Sequence, residues 1–215
     1  MVITGLGQMA VANRTSGYVQ EQAAAAHEQV GILSQQMVVE HRAWVSSKIE
    51  VTGPMNFNGG AAFLPLGIEM INVGHSPAES VKTTQKLVVS IGGPLPKAEV
   101  MASCKELKQS SQPSDANGWI LFPNQKAISK VQGAGLPQKD VQAGTVNNFY
   151  PGKVNFALVT CVDYTMRFDK SRHHQTIQTY AVLFPNSSTG GDDGYVEPVG
   201  KRNAILYLQP DSYVD

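Results

Sequence analysis

The chain has 215 residues, enough for one sizeable core, and its 17 basic and 17 acidic residues cancel. A neutral chain exerts no long-range pull on DNA, RNA or anionic lipid, which argues against nucleic-acid binding. Two cysteines are too few for a zinc knuckle or a disulfide-dense miniature, while 20 glycines and 12 prolines suit the many turns of an all-β body.

Residues 1–15 open with the apolar, uncharged run MVITGLGQMAVA. It is shorter than the ~20 residues of a membrane span and lacks the basic start of a signal peptide. It reads as the end of a membrane helix or as a frayed terminus. Residues 16–44 read as a long helix that Ser16 caps. Val19, Ala23, Ala26, Val30, Leu33 and Met37 recur at alternating spacings of four and three, a heptad-like seam that Glu40 breaks and Trp44 resumes. Such a helix is either a self-associating stalk or a cover for the body that follows.

From residue 45 to 215 the pattern is that of strands. Val45–Val51 is the first. GPMNFNGG is a turn-rich link in which Asn58-Gly59-Gly60 signals a hairpin. Ala62–Asn72 and Ser80–Ser90 follow. Residues 97–109 switch to a helical period, with Val100 or Met101, Cys104 and Leu107 on one face. Trp119–Phe122 and Gln125–Val131 flank Pro123-Asn124, and residues 132–153 read as loop. Val154–Phe168 is the clearest strand: Phe156, Leu158, Thr160, Val162, Tyr164, Met166 and Phe168 share a core face. DKSRHH then turns the chain into a return strand, Gln175–Phe184. Residues 185–203 read as a Gly- and Asp-rich loop, and Ala204–Leu208 as a last strand. With no βαβ alternation, the expected fold is mainly β: an immunoglobulin-like β-sandwich preceded by a long N-terminal α-helix, with one short inserted helix.

Three enzyme-like motifs fail on their own chemistry. GLGQMA at Gly5–Ala10 matches a dinucleotide fingerprint, but no βαβ unit surrounds it. GHSPA at Gly74–Ala78 resembles a nucleophile elbow, yet Pro77 follows the serine and has no N–H to offer an oxyanion. Asn72, Gly74, Ser76 and Pro77 instead read as a turn motif between strands. The pair His173-His174, with Asp169 and either Asp163 or His75, could bind a metal. Adjacent strand residues point to opposite faces, however, and no H-x-H spacing is present. GGDDGYVE, with Asp192, Asp193 and Glu197, lacks the spacing of a calcium loop. No metal or cofactor is expected.

Cys161 sits beside Ala157 and Val159 on the second face of its strand, and those small apolar neighbours imply a cover. The 97–109 helix, with Cys104 on its apolar face, is the candidate. A Cys104–Cys161 disulfide would close a loop of more than fifty residues, worth about 4 kcal/mol by chain entropy. Two separate buried thiols are the alternative.

His41-Arg-Ala-Trp-Val45, Asn72-Val-Gly-His-Ser-Pro-Ala78, Cys161-Val-Asp-Tyr164 and His173-His-Gln-Thr176 together resemble a group of uncharacterised bacterial membrane-anchored proteins, over roughly residues 16 to 184. That resemblance implies a short N-terminal membrane helix, here cut to MVITGLGQMAVA, then a helical stalk and an extracytoplasmic β domain. The implied location is the bacterial cell envelope, anchored in the inner membrane upstream of residue 13, with the β domain in the periplasm or outside the cell. The function expected is a non-enzymatic, membrane-tethered binding or scaffold domain, with a protein partner or self-association through the N-terminal helix. The alternatives are a structural subunit of a surface filament or phage-type assembly, and a metal-dependent hydrolase using Asp163 and His173/His174.

Overall fold

The structure, a computed structural model, describes residues 20–33, 36, 42–91, 94–109, 118–167, 169–185, 191–210 and 213–214. The chain divides into two units, Met1–Arg42 and Ala43–Asp215. In the first, residues 20–33 form a helix, α1, whose side chains are all exposed. The expected apolar run 1–15 and the Ser16 cap lie outside the described residues. The long helix expected over 16–44 is not shown, and residues 42–44 are not helical.

The reason lies in where the backbone of Ala43 and Trp44 is used. The Ala43 carbonyl accepts from Tyr164 Oη at 3.0 Å, and its N–H faces Met166 Sδ at 3.4 Å. Trp44 N–H donates to Asn72 Oδ1 at 3.2 Å, and its carbonyl accepts from Val73 N–H at 2.8 Å. Groups engaged sideways cannot also serve a helical ladder.

The second unit contains β1 (Val45–Val51), β2 (Met55–Asn58), β3 (Ala61–Asn72), β4 (Ala78–Val89), α2 (Lys97–Gln109), β5 (Trp119–Leu121), β6 (Lys126–Leu136), α3 (Gln138–Asn147), β7 (Val154–Met166) and β8 (Asp169–Pro185). Five short strands follow: β9 (Asp192–Asp193), β10 (Tyr195–Val196), β11 (Gly200–Arg202), β12 (Ile205–Leu208) and β13 (Tyr213–Val214). One sheet runs β1-β3-β2-β11, with β6 also on β3. The other runs β12-β8-β7-β4-β5, with β9 and β13 on β8 and β10 on β7. Every pairing is antiparallel.

Strand alternation builds the core. Phe156, Leu158, Val162, Tyr164 and Met166 of β7 face Phe57, Leu64, Leu66, Ile68 and Met70 of the opposite sheet. Burying each such side chain contributes roughly 1.5–3 kcal/mol. The β2–β3 hairpin closes at Asn58↔Ala61, with Gly59 at φ 59° and Gly60 at φ 81°. A two-residue turn with both central φ positive is where glycine is required.

Two expectations need correction. Residues 132–153 are not all loop: β6 runs on to Leu136 and α3 occupies 138–147, so the described residues of the β unit include a second helix beside the one expected. Gly144 lets α3 approach the sheet, since a Cβ there would sit 2.8 Å from Val89 Cγ1 and 3.0 Å from Val154 Cγ2. The hairpin after β7 also turns earlier than expected. Met166 pairs with Asp169, so β8 begins at Asp169 and the whole DKSRHH run is strand.

Candidate functional site

The outer face of β7 carries Ala157, Val159, Cys161 and Asp163, and α2 covers its apolar end. Val100 and Cys104 of α2 pack with Val88, Ala157, Val159 and Ile177. Cys104 and Cys161 are joined in a disulfide, with their Cα atoms 5.6 Å apart. The small apolar neighbours of Cys161 are thus the seat of a helix.

Below the disulfide the same face turns polar. Asp163 is 2% exposed, and its two oxygens are held from the neighbouring strand. Asp163 Oδ2 lies 2.7 Å from His173 Nδ1, and Oδ1 accepts from Gln175 Nε2 at 3.1 Å. Gln175 Nε2 also approaches the Cys104 carbonyl at 3.5 Å. Register explains the grouping: Asp163 pairs with Gln175, so His173 lies diagonally across on the same face. A buried carboxylate held in this way fixes β7, β8 and α2 to one another.

His174 belongs to the other face. It is 2% exposed, and its ring lies 5.7 Å from that of Tyr164, its partner in register. Asp163, His173 and His174 therefore do not converge. Among the described residues no three His, Cys, Asp or Glu side chains come together to hold a metal ion. Asp169 lies at the start of β8, and His75 is exposed in the turn after β3. A histidine oriented by aspartate is the supporting half of a hydrolytic triad, which also needs a nucleophile on the second ring nitrogen. Among the described residues no serine, threonine or cysteine bonds to His173, and both sulfurs are in the disulfide.

The turn motif is a structural node. Asn72 is fully buried and its amide makes four bonds. Oδ1 accepts from Trp44 N–H at 3.2 Å and from Gly74 N–H at 3.0 Å. Nδ2 donates to the carbonyls of Ser76 at 2.7 Å and Leu121 at 2.9 Å. That uses the whole capacity of the side chain. The Asn72 carbonyl accepts from Asn124 N–H at 2.7 Å, inside a turn with Pro123 and with Asn124 at φ 62°. Pro77 leads directly into β4. One residue thereby ties the ends of β1, β3, β4 and β5 across both sheets.

The residues of GGDDGYVE form a feature that composition had read as plain loop. β9 pairs with the end of β8, β10 with β7 and β11 with β2, so this strap crosses from one sheet to the other. It borders a groove of about 860 Å³. Lys153, Lys201 and Arg202 line it together with Asp192, Asp193 and Glu197. Tyr195 on its wall stacks edge-on with Tyr150 at 4.8 Å, and Tyr150 with the exposed Phe149 at 5.2 Å. Balanced charge and an aromatic rim suit a polar ligand or partner surface. The signal in the sequence is the aromatic pair Phe149-Tyr150 before Pro151.

Comparison with protein-family models, with curated proteins and with solved structures finds no match.

Proposed function

We propose that the chain is a non-enzymatic binding or scaffold domain of the bacterial cell envelope, tethered through its N-terminal segment, with the β unit outside the cytoplasm. The observation that carries this reading is the buried Cys104–Cys161 disulfide, because such bonds persist in oxidising compartments. The strap groove supports binding, since it presents polar groups of both signs beside exposed aromatics. The Asp163–His173 pair, without a nucleophile or a third ligand among the described residues, supports a structural role over a metal-dependent hydrolase. The immunoglobulin-like class belongs to the same reading, supported by two antiparallel sheets that share one core. Among the described residues no helix is long and apolar enough to cross a membrane, and the proposed anchor lies upstream of residue 13.

The test is thiol trapping in the intact host, followed by fractionation. The expected result is protein in the membrane fraction whose cysteines react with a maleimide only after reduction. Two freely reactive cysteines in protein from the soluble cytoplasmic fraction would sink the reading. A structural subunit of a larger assembly is the second reading, favoured by the uncharged edge strand β12.

A further inference from the structure

The larger sheet ends in two strands of different character. The β5 edge is guarded: its pairing with β4 shifts register between Ala78 and Val81, Ser80 there adopts φ 53°, and Pro123 follows closely. Bulges and prolines of this kind deter edge-to-edge pairing. β12 is also followed two residues on by a proline, Pro210, but its own ladder contains no bulge. Ile205, Leu206, Tyr207 and Leu208 pair with β8 in unbroken register and carry no charge. Ile205 is 45% exposed, Tyr207 65% and Leu208 48%. Among the described residues no strand pairs with the outer edge of β12.

The ladder fixes which backbone groups face outward. Gln209 N–H donates to the Thr179 carbonyl at 2.8 Å, so residues 209, 207 and 205 direct their backbone groups toward β8. Leu206 and Leu208 direct theirs to the open edge. A two-fold rotation about the sheet normal sets two copies of β12 antiparallel with their faces preserved. Leu206 of each then meets Leu208 of the other as a hydrogen-bonded pair, and Tyr207 meets its own counterpart on the axis. A head-to-tail stack of copies, β5 against β12, would have to pair parallel, because these two strands run the same way in the sheet. That mode is less stable per residue and would meet the guarded edge.

We propose that β12 is a self-complementary edge, and that two copies of this chain join through it as a two-fold dimer with one sheet continuous across the interface. Each copy satisfies the other's outward N–H and C=O groups, and the apolar side chains are covered in pairs. This stands independently of the location proposed above, because it rests on strand geometry alone.

The test is the mass of the full chain in solution, by light scattering after gel filtration, for wild type, Tyr207→Lys and Leu208→Pro. Lysine puts like charges opposite one another on the axis. Proline removes an outward N–H that makes no bond within the β12–β8 ladder. The expected result is a dimer for wild type and half that mass for both variants, with unchanged circular dichroism. Tyr207→Cys supplies a second readout that does not depend on the association of α1. The non-hydrogen-bonded position brings Cα atoms to about 4.5 Å, within disulfide range. A linked dimer on a non-reducing gel is expected for Tyr207→Cys and none for Ile205→Cys. A monomeric wild type, or a mass untouched by either edge variant together with no Tyr207→Cys link, would overturn the proposal.

Discussion

Asn72 Nδ2 donates to the carbonyl of Leu121 at 2.9 Å, a bond between residues 49 apart in sequence that lie in different sheets. The first prediction concerns this bond and its three companions. Asn72→Ala strands two backbone N–H groups and two carbonyls at a buried site. At about 1–3 kcal/mol for each group that water cannot reach, the loss is about 3–5 kcal/mol. Asn72→Asp keeps the acceptor but sets an oxygen against the Ser76 and Leu121 carbonyls, and falls in the same range. Urea unfolding measures both, and a loss under about 1 kcal/mol would show the node to be redundant.

The disulfide makes a separate contribution. It joins residues 57 apart in sequence, so its removal costs about 4 kcal/mol through the entropy regained by the unfolded chain. The measurement is denaturant unfolding of Cys104→Ser/Cys161→Ser beside wild type with and without reductant. Hydrogen exchange of residues 97–109 is expected to speed up first, because α2 then keeps its apolar seat on Val88, Ala157, Val159 and Ile177 and the Gln175 contact to the residue 104 carbonyl, but no covalent tie.

Gly144→Ala opposes two effects of known sign. Alanine favours a helix by about 1 kcal/mol over glycine. At this position its methyl would press on Val89 and Val154 at 2.8–3.0 Å, and overpacking costs about 1–3 kcal/mol. Net destabilisation is expected, relieved when Val89→Ala is added. A double-mutant cycle measures the coupling, and additive effects would refute the contact.

Tyr180 sets a limit at high pH. Burial holds its phenol above the ordinary value of 10.0, and its Oη donates to Gln178 Oε1 at 3.1 Å. The native state keeps a proton that the unfolded state gives up, so this part of the stability is whole below pH 10. It is lost as pH rises from there through the raised native pKa. Tyr180→Phe is expected to flatten the fall in stability above pH 10, measured by urea midpoints across that range.

Much of the fold was legible because burial and period coincide. Val45–Val51 and Lys97–Gln109 each show one apolar stripe at one period, and both segments form with those bounds. Cys161 was informative for the same reason, since small apolar neighbours on an outer face require a cover. α3 was not legible. Only Val141 and Gly144 of it are buried, too few to print a period on a segment flanked by glycine and proline. The Asp163–His173 pair depends on register, and register depends on where the hairpin turns. Lys170, Arg172 and His173 are exposed, and Lys170 pairs with Glu79 at 3.5 Å. Composition alone does not separate such a strand from a turn. The groove was hidden because its walls are short strands whose partners are distant in sequence.

The Cys104–Cys161 bond also decides how the chain behaves once it is cut. Everything from Lys105 to Thr160 lies within one covalent ring, β5, β6 and α3 included. A protease that nicks the backbone anywhere along that stretch releases no fragment. The two pieces travel as one molecule until a reductant parts them, so the domain survives a single scission that would divide an unbridged chain.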